Sequence, residues 1–277
     1  MDTKDVVLLK LNDIAEVSVH LHGATIISWK CKAQEVLFVS KNALFDNKKA
    51  IRGGIPLVFP CFGPWEKGPQ HGFARIKRWR QDSEPKQNNG RASMSFSLED
   101  DEETRKIWDY RFKLVYNVDL GENDLKLTLT VNNNDSKAFD FTTLMHTYFR
   151  CPDIADVRIH GLEGLQYNDK VEGGKISTEE RKMVTIDKNY DRVYMKCGGD
   201  KVQVESIGDG KKSVSLLLSN LTDVVVWNPW EDKAKAMSDF GDDEYKTMIC
   251  VEAGSVSQSV TAPAGESVLF TQTLKLH

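Results

Sequence analysis

The sequence predicts an all-β protein of large antiparallel sheets with few short helices, and three observations carry that expectation. First, apolar residues recur at every second position: Val17, Val19 and Leu21; Leu125, Leu127, Leu129 and Val131; and Val268, Phe270, Leu274 and Leu276, interrupted only by Gln272. A period of two places such residues on one face of a strand. Second, residues 214–218 and 224–227 are largely apolar runs, as expected of strands buried on both faces. Third, turn-forming clusters punctuate the chain: GEND at 121–124, NNND at 132–135, GDG at 208–210 and APAG at 262–265. Short strands separated by turns at this spacing read as a sandwich or barrel.

Helical patterning is sparse. Residues 176–183 and 232–239 can supply a turn or two each, and the acidic runs at 99–103 (EDDEE) and 239–245 (DFGDDEY) read as solvated loops. In the second run, Phe and Tyr are placed to cover a nearby site. Without internal repeats or a Pro- or Ser-rich linker, the chain reads as one large domain over residues 1–277.

Composition narrows the function. The 277 residues carry 41 acidic and 37 basic side chains, a net charge of −4 with no basic block, which argues against nucleic-acid binding. The start of the chain is charged and lacks a signal-peptide core. No stretch approaches the ~18 apolar residues of a membrane span. The five cysteines are scattered with no CxxC pair, which points to reduced thiols and a cytoplasmic address. A monomer is expected.

Chemistry concentrates in four places. Residues 52–75 read RGGIPLVFPCFGPWEKGPQHGFAR, a loop rich in Gly and Pro that also holds Arg52, Gln70, His71 and Arg75. Gly53 and Gly54 let another backbone or a ligand come close, and the prolines stiffen the loop. Arginine's planar fork suits a phosphate. His146 follows an apolar strand in LMHTYFR, and Glu252 lies inside another in MICVEAGSV, where a carboxylate needs a partner or a purpose. Asp191 precedes a short strand in NYDRVY, and WNPW at 227–230 offers aromatic faces that suit a sugar ring or a core. His20 and His22 alternate on a strand and offer two metal ligands, but no third stands at a diagnostic spacing.

In order along the chain, RGGIPLVFPCFG, PQHGFAR, LMHTYFR, DRVY, VVVWNPW and MICVEAGSV resemble the glucose-6-phosphate 1-epimerase family, within the aldose 1-epimerase (galactose mutarotase-like) superfamily. The resemblance implies a β-supersandwich with a sugar bound on a concave face. It implies a catalytic pair at His146 and Glu252, and substrate-binding roles for Arg52, Gln70, His71, Arg75 and Asp191. It further implies a hexose 6-phosphate substrate with neither metal nor cofactor. A carboxylate base at Glu252 and a protonated imidazole at His146 would suffice to open and reclose the ring. A mutarotase for free aldoses and a non-catalytic sugar-phosphate sensor are the competing expectations.

Overall fold

A computed structural model describes residues 3–197, 199 and 202–277. Among them the alternating segments form antiparallel strands in sheets of four, ten and eight. In the ten-stranded sheet, Asp124–Asn133 lies between Phe112–Leu120 and Ser267–Leu276. Leu125, Leu127, Leu129 and Val131 are fully buried on one face of that strand, each burial stabilising by about 1.5–3 kcal/mol. Gln272, the polar interruption in the last strand, is fully buried too, and its amide donates to Thr147 Oγ1 at 3.3 Å. That bond ties the ten-stranded sheet to the eight-stranded one directly beside His146.

The eight-stranded sheet is organised around Met248–Ala262, a strand of 15 residues. It pairs with Asp223–Asn228 on one side and with Phe139–Met145 and Tyr148–Arg150 on the other. Because a strand's two faces alternate, Ile249, Val251 and Ala253 enter the main core. Met248 and Cys250 face a second apolar cluster with Phe38, Tyr148, Ala234, Phe240 and Tyr245. Glu252 lies on this second face as well. A helix, Trp230–Ala236, follows Pro229 and lies over that cluster. Asn228 fastens it: its side-chain oxygen accepts from Trp230 N, and its amide donates to the carbonyls of Tyr245 and Met248, all at 2.9 Å.

Several segments differ from the sequence expectation. Half of the acidic run at 99–103 is a helix start: Asp101 caps the helix Glu102–Ile107, accepting from Thr104 N while Thr104 Oγ1 accepts from Asp101 N. Glu102 and Glu103 then sit where the helix dipole favours negative charge. Half of residues 176–183 fall in the strand Lys175–Thr178 and a short strand Met183–Val184, and the other half lie between them, so no helix forms there. The strand Lys212–Ser219 buries Val214 and Leu216 fully but leaves Leu217 and Leu218 partly exposed, so it is covered on one face only. The helix expected at 232–239 runs instead over Trp230–Ala236, starting two residues and ending three residues earlier, with its first N–H taken by the Asn228 side chain.

The loop after Arg52 is pressed against the first sheet. Gly54 has φ +67, and a Cβ there would stand 2.0 Å from the Ile26 carbonyl oxygen; at Gly53, with φ +128, it would stand 2.4 Å from Val39 Cα. Backbone bonds from Gly54 N to Phe38 O and from Tyr148 N to Gly54 O, at 2.7 and 2.9 Å, hold the same stretch. Only glycine fits both the conformation and the approach. Gly54→Ala is therefore expected to destabilise the fold by at least about 1–3 kcal/mol, read as a lower urea midpoint at unchanged slope; an unchanged midpoint would contradict this packing.

Candidate active site

Strand register assembles the site. Asp191 is opposite Trp227, Trp227 is opposite Cys250, and Cys250 is opposite Tyr148, forming one row across four strands. One pleat further, Val193 is opposite Val225 and Val225 opposite Glu252. His146 follows Met145, which pairs with Ala253, so its imidazole reaches Glu252 from the neighbouring strand. His146 Nδ1 stands 3.4 Å from Glu252 Oε1. The imidazole stacks on Tyr148, with ring centroids 4.7 Å apart and planes 10° apart, and meets Trp227 and His71 edge-on.

All seven residues singled out in the sequence line one cavity of about 540 Å³: Arg52, Gln70, His71, Arg75, His146, Asp191 and Glu252. Phe62, Trp227 and Lys170 also line it. A second hollow of about 450 Å³ adjoins it and shares Arg52, Gln70 and Arg75, with Lys48 and Lys49 on its outer wall. The arginines thus stand where the two spaces meet. Arg75 donates from Nη2 to the Gln70 carbonyl at 2.8 Å, but its Nε is buried with no hydrogen-bond partner among the described residues. Arg52 is held from behind: Nε and Nη2 each lie 3.2 Å from Asp239 Oδ2, and Nη1 lies 3.4 Å from the Tyr148 hydroxyl. Asp191 lies inside the strand Tyr190–Tyr194 rather than before it. Its neighbour Arg192 locks that strand, pairing with Asp169 at 2.8 Å and lying over the Tyr167 ring.

Burial governs the charges. It drives the Glu252 carboxyl well above the ordinary carboxylate value, with Asp191 adding to the rise. It drives the His146 imidazole well below its ordinary value; a charge on His71 would lower it too, and the guanidinium charges of Arg75 and Arg52 lower it further. Burial therefore favours a neutral imidazole beside a protonated carboxyl, not the charged base and acid expected from residue type alone. The two groups face each other at 3.4 Å. His71 has φ +64, and its Nδ1 accepts from Gly63 N at 3.1 Å, so the neutral ring carries its proton on Nε2. Burial, with Arg75 and Arg52, lowers its pKa to about 3.

Two supporting residues escaped the sequence reading. Tyr148 lies two positions beyond His146, and that spacing was the available signal for a shared face. Asp239 is 187 residues from Arg52 and carried none. In the same segment, Phe240 and Tyr245 are buried behind the site. His20 and His22 are occupied locally: His20 Nδ1 accepts from His22 N at 3.1 Å, and His22 Nε2 lies 2.9 Å from Lys49 O.

Antiparallel sheets around a buried acid–base pair in a sugar-sized cavity are the architecture of a mutarotase. A crystal structure from Salmonella typhimurium, provisionally titled a mutarotase, superposes with a TM-score of 0.86 at 29% identity, covering 100% of this chain and 95% of that one. The family model for aldose 1-epimerase matches residues 5–275, and the chain belongs to that family. A Cenchrus ciliaris protein provisionally named glucose-6-phosphate 1-epimerase is 39% identical over 90% of this chain and 77% of its own. An Escherichia coli protein of the same provisional name is 32% identical over 94% and 87%.

His71 makes the electrostatics testable. Its folded pKa, about 3, lies below its ordinary 6.5, so the stability it contributes is present above pH 6.5 and lost as pH falls towards 3. Across that window, wild type is expected to lose more unfolding free energy than His71→Asn, a substitution that tolerates positive φ. Parallel losses by chemical denaturation would place His71 outside a desolvated site.

Proposed function

We propose that the protein interconverts the α and β anomers of glucose 6-phosphate, and of related hexose 6-phosphates, by opening and reclosing the sugar ring. The observation that carries the phosphate is Arg75, a half-buried guanidinium whose buried Nε is left without a partner and which faces the cavity together with Arg52. A guanidinium that has a backbone carbonyl but no carboxylate beside it is well placed to take an anion. The relatives' names point to the same substrate.

Glu252, as carboxylate, takes the proton of the anomeric hydroxyl, while His146, as imidazolium, delivers one to the ring oxygen. The bond between the anomeric carbon and the ring oxygen breaks, leaving an aldehyde and a new hydroxyl. Rotation about the first carbon–carbon bond presents the other carbonyl face, and the same two groups run the steps in reverse. The charged pair arises by proton transfer from Glu252 to His146. A phosphate dianion between Arg52 and Arg75 favours that transfer, because it cancels the positive field that lowers His146 in the free protein. Asp191 and Gln70 hold sugar hydroxyls. The phosphate contacts lie away from the reacting carbon and supply binding and orientation. Every group needed comes from one chain, as suits a monomer, and five cysteines outside any disulfide suit the cytoplasm.

Exchange NMR on glucose 6-phosphate reads anomer interconversion directly. Glu252→Gln and His146→Ala are each expected to lower the catalysed rate by about 10²–10⁴-fold; wild type no faster than these variants would leave only a sugar-phosphate sensor. Arg52→Ala and Arg75→Ala are expected to raise KM for glucose 6-phosphate at least tenfold, roughly the loss of one charge-assisted contact, with turnover of free glucose little changed. Equal losses on both sugars would point to a free-aldose mutarotase.

A further inference from the structure

Beneath the acid–base pair lies a thiol that the reaction does not use. Cys250 precedes Glu252 by two residues on the same strand, so both side chains project from one face. Register places Cys250 opposite Tyr148, whose ring lies under the His146 imidazole. Among the described residues, one group of His, Cys, Asp and Glu side chains closes tightly enough to hold a metal ion. It consists of His146, Cys250 and Glu252, whose ligand atoms all lie within 4.8 Å of one another.

The geometry points to an inhibitory site for a thiophilic divalent cation, zinc foremost, bound by His146 and Glu252, which line the cavity, and by the fully buried Cys250 two residues before Glu252. Zinc bonds of 2.0–2.3 Å in tetrahedral array set ligand atoms about 3.3–3.7 Å apart. The imidazole and carboxylate are already at that spacing, 3.4 Å, so only the sulfur must approach. Two of the donors lack other commitments: His146 Nδ1 and Glu252 Oε2 are buried without hydrogen-bond partners, in residues 8% and 1% exposed. A mixed thiolate, imidazole and carboxylate set is typical of zinc and foreign to magnesium or calcium. Three protein donors would leave a fourth coordination position for water. Burial, with Glu252 beside it, holds the Cys250 thiol protonated in the free protein. Binding therefore breaks the S–H bond, forms the metal–sulfur bond and releases the proton to solvent, as does any proton held by the carboxyl. The metal takes the electron pairs that proton transfer needs, so a loaded enzyme cannot open the ring.

Inhibition rests on the proposed roles of His146 and Glu252, whereas metal binding does not, and the two readouts separate them. Cobalt(II) added to the whole protein should give a thiolate-to-metal charge-transfer band with one ion per chain. Zinc chloride in a non-chelating buffer should suppress anomer exchange of glucose 6-phosphate, reversibly on adding a chelator. Cys250→Ser and Cys250→Ala should keep metal-free turnover, lose the cobalt band and require at least about tenfold more zinc for the same inhibition. Equal zinc sensitivity in wild type and both variants, or no cobalt band in wild type, would overturn the site. A cobalt band without inhibition would keep the metal site and overturn the assigned proton-transfer roles instead.

Discussion

A carboxyl and an imidazole facing each other at 3.4 Å, both almost wholly buried, are the contact on which this structure turns. Neither side chain is comfortable alone: a buried carboxylate and a buried imidazolium each favour the neutral form. A sheet interior tolerates this because its backbone groups are already paired, leaving the two side chains as the open polar functions. Tyr148, Trp227 and His71 then hold the imidazole by its faces and edges, so its nitrogens stay aimed. The helix after Asn228 keeps an apolar layer over the same face.

Charge around that pair is arranged unequally. Arg52 has its counter-ion in Asp239, whereas Arg75 has a backbone carbonyl and an unpartnered nitrogen. The first guanidinium is oriented before any ligand arrives; the second is held in reserve. Orientation limits the conformational freedom lost on binding, and the unpartnered donor adds attraction for an anion. Both fields also act on His146, so a charge brought to the arginine end would be felt at the imidazole through space, without any moving part.

Much of this was legible in the residues, for identifiable reasons. Strand alternation is local, and the runs ending at Val131 and Leu276 declared their buried faces directly. Helix 102–107 was hidden because its evidence is a cap, Asp101 with Thr104, inside a run whose charge suggests solvent. The expectation of two buried faces for residues 214–218 failed because composition does not say what covers a sheet. At the site, the ordered motifs that carry the family resemblance pointed to seven residues that line the cavity, although each alone is ordinary. Their protonation was not legible: it depends on burial, which brings residues from distant strands under one cover. Asp239 was unreadable for the same reason.

The cavity collects Arg52, His146, Asp191 and Glu252 from widely separated parts of the chain, joined through the strand Met248–Ala262. That strand enters late in chain order yet lies between partners made earlier, Phe139–Met145 on one side and Asp223–Asn228 on the other. No shorter amino-terminal portion holds a partial version of this cavity, because the Glu252 carboxyl and the central strand arrive together. Contacts this distant in sequence also form slowly. A closed cavity in a newly made chain is thus an all-or-none signal that sheet assembly is complete.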